Sequence, residues 1–199
     1  VNAVGGAPVS APIYGQANSF TDDDNIWTAG EHVRSTTTAV IERQHDDDIA
    51  FDAHWGAGVV YDYWRDQHSR DSYDDQGAPI RSYVHIGAAF DNAFWNGSVM
   101  SYGDGMNFKS LTSLDVCGHE VGHAVCSNTS DLVYARQSGG MNEGFSDIWA
   151  ATTEYYQILK EAGLAYHPVT NPDGYRPFGI GEQINTDGDD ATTDRSEGA

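Results

Sequence analysis

The stretch "DVCGHEVGHAVC", Asp115 to Cys126, decides how the rest of the chain is read. It places His119 and His123 four residues apart in a proline-free run of small and apolar residues, behind Thr112 or Ser113 as a cap, which predicts a helix over 113–127. Residues i and i+4 share one helix face, so both imidazoles can point at a common spot, a geometry that zinc accepts readily. Glu120 lies at the edge of that face and can reach a water on such an ion without being a ligand itself. The competing reading is a helix that merely contains two histidines. Gly118 and Gly122 weigh against it, because glycine costs about 1 kcal/mol in a helix interior. Two of them within five residues imply that something presses on the helix backbone.

A catalytic zinc takes three protein ligands and leaves its fourth position to water. The extended pattern HExxHxxGxxH would need glycine and histidine at positions 126 and 129, where Cys126 and Thr129 stand, so that class is excluded. The alternative is a glutamate on the following helix. "GGMNEGFSD", residues 139–147, offers Glu143, with Asn142 and Asp147 able to hold the outer ring nitrogen of a ligand histidine.

Outward from this centre, Asp46, Asp47 and Asp48 cap a helix expected over 48–67, with Ile49, Ala53, Val60, Tyr61 and Trp64 as its apolar positions. "STTTAVIE" (35–42) and "PIRSYVHIGAAF" (79–90) read as strands, and "NAFWNGSVMSYGDG" (92–105) as a strand or hairpin ending in a glycine turn. A helix from about Gly139 or Met141 to Lys160 follows, after which the chain turns Gly/Pro/Asp-rich. The expectation is an α+β fold. Residues 1–112 would form a β-rich lobe with one long helix, and 113–199 the metal-binding helices and the start of a mainly helical lobe.

Ten Lys+Arg against 30 Asp+Glu give a formal charge of -20, which repels phosphate backbones and anionic lipid, so neither nucleic acid nor a membrane surface is an expected partner. The acids suit a solvated surface or hard cations such as calcium. No apolar run is long enough to span a bilayer, and Val1 to Ser10 lack the pattern of a signal peptide, so an exported form would be a processed product. Cys117 and Cys126, about 13 Å apart along a helix, are too distant for a disulfide and lack CxxC spacing, so they read as packing thiols.

With both blocks in register, Gly140, Asn142, Glu143, Ser146 and Asp147 matching GxxNExxSD after His119-Glu120-xx-His123, the chain resembles the thermolysin family of zinc metalloendopeptidases over roughly residues 20–185. The resemblance implies a secreted, extracellular endopeptidase acting on proteins or peptides. His119, His123 and Glu143 would bind Zn2+, Glu120 would be the general base, and Tyr134 would donate to the developing oxyanion. Asn92 and Ala93, with Trp95 beside them, match the strand that holds the substrate backbone. Phe108, Leu111 and Val116 match part of an apolar wall that favours cleavage before bulky hydrophobic residues. Ca2+ is implied at Asp115 and Glu154, with Asp173 and Glu182 fitting less closely and Asp22 and Asp24 matching a further surface site.

The family also has a substrate-binding arginine and an oxyanion-assisting histidine with no match before Ala199, and His167 lies in no matching context. The 199 residues are therefore expected to be a piece or nicked product, with a propeptide or the remaining C-terminal part of the enzyme as a partner. A gluzincin aminopeptidase and a non-catalytic peptide- or metal-binding fragment are the rival functions.

Overall fold

The computed structural model describes residues 2–3, 14, 18–21, 34–35, 48–165, 180–181 and 184. In chain order they form β1 (Asn2–Ala3), β2 (Asn18–Thr21), β3 (Arg34–Ser35), α1 (Asp48–His68), β4 (Ser82–Val84), β5 (Ala93–Trp95), β6 (Met100–Tyr102), α2 (Leu114–Ser127) and α3 (Arg136–Glu161). The sheet runs β3-β2-β1-β4-β6-β5 and is mixed: β4 is parallel to both β1 and β6, and the other pairs are antiparallel. The α+β expectation holds.

The acidic start of α1 is seen only from Asp48, since Asp46 and Asp47 lie outside the described residues. Its buried face runs through Ala50, Ala53, Val60, Tyr63 and Trp64. Tyr61, expected on that face, instead donates its hydroxyl to Asp71 at the surface, and Tyr63 takes the core position. One core joins this face to Val84, Met100 and Tyr102 of the sheet and to Cys117 and Val121 of α2. Both cysteines are free and buried.

The expected strand over 79–90 is cut to three residues because His85, Gly87 and Ala89 all adopt positive φ, which an extended chain cannot carry. Of the expected strand over 35–42 only Ser35 is described, in β3. The segment 92–105 is a hairpin, with Phe94 opposite Ser101 and Trp95 opposite Met100. Its turn holds Gly97 at φ 94 and is braced by Asn96 Oδ1, which accepts from the N–H groups of Ser98 and Val99. That hairpin puts β5 at the end of the sheet, beside α2.

The pressure inferred on α2 comes from α3. A Cβ at Gly118 would lie 2.9 Å from Ala150 Cα, and one at Gly122 would lie 2.9 Å from Ser146 Cα. The missing side chains let the two backbones meet antiparallel, and they bring the 142–147 segment over the histidines. Helix α3 starts earlier than expected, at Arg136, where Gly139 donates to Ala135 O and packs on the Tyr134 backbone instead of breaking the helix. No helix among the described residues is long and apolar enough to cross a membrane.

Candidate metal centre and cleft

His119 and His123 project from one face of α2, their ring centroids 4.5 Å apart and nearly perpendicular. Glu143 reaches them from α3, its Oε2 3.1 Å from His119 Nε2 and 3.7 Å from His123 Nε2. The three side chains form the one group of potential metal ligands found among the described residues.

Hydrogen bonding fixes what these atoms offer. His119 Nδ1–H donates to Asp147 Oδ1 at 2.9 Å, and His123 Nδ1–H donates to Asn142 Oδ1 at 2.6 Å, since neither oxygen carries a proton to give. In neutral imidazoles that leaves the Nε2 lone pairs facing a carboxylate oxygen, so three electron-pair donors converge with no proton between them. A divalent cation relieves that repulsion. The two separations straddle the edge of about 3.4 Å that a tetrahedron has at zinc bond lengths of about 2.0–2.2 Å. Burial lowers the pKa of His123, which favours the neutral, ligating form.

Glu120 is 5% exposed, and its Oε2 accepts the Trp95 N–H at 2.8 Å, which ties this carboxyl to the sheet edge. Burial raises its pKa to about 7, against the lowering influence of the neighbouring His119 and of the Trp95 bond. A carboxyl poised near neutrality can both take and return a proton, and a cation alongside would draw that value down.

A cleft of about 570 Å³ opens over these residues. Its floor is His119, Glu120, His123 and Glu143, one wall is Asn92 to Trp95, and the other is Asp131 to Tyr134 from the α2–α3 connection. Tyr134 is 66% exposed, with its ring 6.0 Å from that of His123. The structure thus brings together the expected ligands, Glu120, Tyr134, Asn92, Ala93 and Trp95.

It does not bring in Phe108, Leu111 or Val116. Leu111 and Val116 belong to the core, and Phe108 is an exposed loop residue held near Asp91. Asp115 and Glu154 are both buried, Asp115 accepting from Ser113, Val116 and Gly181. Asp22, Asp24, His167, Asp173 and Glu182 lie outside the described residues. Sequence reasoning missed Ser146 as a neighbour of His123, and Leu132 and Val133 as cleft walls. Only Ser146 had a signal, since it sits one turn after Asn142.

Comparison with known proteins agrees with this geometry. Residues 7–127 match the model for "Thermolysin metallopeptidase, catalytic domain", and 130–196 that for "Thermolysin metallopeptidase, alpha-helical domain". Bacillolysin of Bacillus cereus is 39% identical over 178 residues, covering 88% of this chain and 27% of its own length. Thermostable neutral protease NprT of Geobacillus stearothermophilus is 42% identical over 172 residues, covering 85% and 26%. The chain thus spans about a quarter of these relatives. Among solved structures, the precursor of protealysin, a metalloproteinase from Serratia proteamaculans, is 34% identical with a TM-score of 0.55, over 63% of this chain and 39% of that one. With a paired-histidine and glutamate metal site and family models matching nearly its whole length, the chain belongs to the thermolysin metallopeptidase family.

Proposed function

We propose that this chain carries the catalytic centre of a secreted zinc endopeptidase, with His119, His123 and Glu143 as ligands and Glu120 as general base. The observation that carries the reading is the convergence of two imidazole Nε2 atoms and one carboxylate oxygen beside a buried glutamate that is not itself a ligand.

A zinc ion held by His119, His123 and Glu143 would supply Lewis acidity, polarising a scissile carbonyl and lowering the pKa of a bound water. The chain's residues do the rest. Glu120, anchored by the Trp95 N–H, would take the proton of the attacking water and hand it to the leaving amine. Strand β5, paired among the described residues only with β6, offers its other edge to an extended peptide. Tyr134, on the opposite wall of the cleft, would donate to the oxyanion. A bulky apolar residue after the cut would need a wall other than Leu111 and Val116, and Leu132 and Val133 supply apolar surface at the cleft.

We also assign a calcium site to Asp115 and Glu154. The contacts of Gly118 with Ala150 and of Gly122 with Ser146 set an antiparallel register that carries the first turn of α2 towards Glu154. Buried carboxylate oxygens of this kind are the ligands that a hard cation takes.

Glu120→Gln tests the catalytic reading. Casein cleavage should fall by about a hundred- to ten-thousandfold while bound zinc stays at the wild-type level. Zinc-dependent cleavage that survives the substitution would remove Glu120 from the mechanism. A zinc-binding wild-type chain that cleaves nothing would favour the non-catalytic reading.

A further inference from the structure

Ser146 stands one helical turn after Asn142 and is completely buried. Its Oγ lies 3.1 Å from His123 Nδ1, the nitrogen that already donates to Asn142 Oδ1. A side chain at 122 would forbid this approach, because a Cβ on Gly122 would fall 3.1 Å from that same oxygen. Gly122 thus opens the space through which the hydroxyl of α3 reaches the ring on α2.

We infer that Ser146 is a positioning residue for the metal ligand His123: its oxygen and that of Asn142 bracket the Nδ1 proton, so the ring stays turned with Nε2 towards Glu143. This rests on the zinc reading of the site. The two imidazoles are then held in different ways. His119 leans on an anionic acceptor, Asp147, whose side chain is 52% exposed. His123 leans on two neutral acceptors, both buried, where a carboxylate would carry a large desolvation cost. Loss of one acceptor frees the ring to swing about its bond to Cβ, and partners of this kind are worth about 10–100-fold in metal affinity.

The test uses the whole chain in three forms: wild type, Ser146→Ala, and Ser146→Cys, which keeps the shape but offers a weak acceptor. Zinc affinity is read by competition with a chromophoric chelator, thermal unfolding is read without metal, and exchange of the His123 Nδ1 proton is read by NMR with zinc bound. Ser146→Ala should bind zinc about tenfold more weakly and exchange that proton faster, with its metal-free unfolding temperature unchanged. Ser146→Cys should fall between the two, and it decides the matter by itself if the alanine variant does not fold. Wild-type affinity and exchange in the folded variants overturn the inference, as does a loss confined to metal-free stability, which would mean packing alone. A wild-type chain that takes up no zinc overturns the metal reading as well, so the two failures are told apart.

Discussion

Asp91 shows how much of the site's framing rests on single side chains. Its carboxylate accepts the N–H groups of Met106, Asn107 and Phe108 and the Asn107 side-chain amide, pinning the loop after β6 to the segment just before β5. The Met106 N–H, with help from Phe108 and Asn107, holds its pKa below the ordinary 3.8. A depressed carboxyl contributes stability that is fully present above its unfolded value and is lost as pH falls through the folded one. The gap in unfolding temperature between wild type and Asp91→Asn should therefore be open at pH 6 and close in acid below about 3.8. A gap that widens in acid would mean that the carboxylate is not what holds the loop. At the same scale, the metal ligands were legible because HExxH spacing forces both rings onto one helix face. Ser146 was legible only as a position one turn after Asn142, since its reach to His123 depends on how closely two helices approach.

The contact between α2 and α3 is the element that assembles the site, and the glycines of both helices report on it with opposite signs. At Gly118 an added methyl meets the Ala150 backbone at 2.9 Å, so overpacking outweighs the gain in helix propensity. Gly118→Ala should lose about 1–2 kcal/mol in urea unfolding. Gly140, also helical, has nothing within 4 Å of such a methyl, so Gly140→Ala should gain up to about 1 kcal/mol. Equal effects at the two positions would deny the close crossing. The three helices were legible to within a few residues from sequence pattern, although Ser113 makes no side-chain cap hydrogen bond and donates its hydroxyl to Asp115 instead. The extent of β4 was not, because nothing in "YVHIGAAF" announces that His85 and Ala89 adopt positive φ. Alternation also could not tell Tyr61 from Tyr63 as the core residue of α1, since both fit a helical stripe loosely. For Leu111 and Val116 the cleft wall and plain core packing were equally open, because apolar residues near a site look alike in sequence, and both lie in the core.

Across the whole molecule, 30 acids against ten basic residues make bound cations a stabilising influence. Segments distant in sequence are tied to the first turn of α2, where Asp115 accepts from Gly181, and to the loop before it, where Lys109 N–H donates to Ile184 O at 2.7 Å. A ligand at a hundred times its dissociation constant adds about 2.7 kcal/mol, which for a chain of this size is roughly 5–11 °C in unfolding temperature. Chelation should lower the midpoint by that order. Calcium alone should restore part of the loss in wild type and little in Asp115→Asn, and full restoration in that variant would rule out the proposed calcium site.

The assignment of zinc to His119, His123 and Glu143 is tested most directly by what surrounds the bound ion. X-ray absorption at the zinc edge, on the chain loaded with one equivalent, should give two imidazole nitrogens and carboxylate and water oxygens at about 2.0–2.2 Å, with Glu143→Ala altering the oxygen shell and weakening binding. A sulfur shell near 2.3 Å, placing the ion on the cysteines, or a spectrum indifferent to Glu143→Ala, would contradict it.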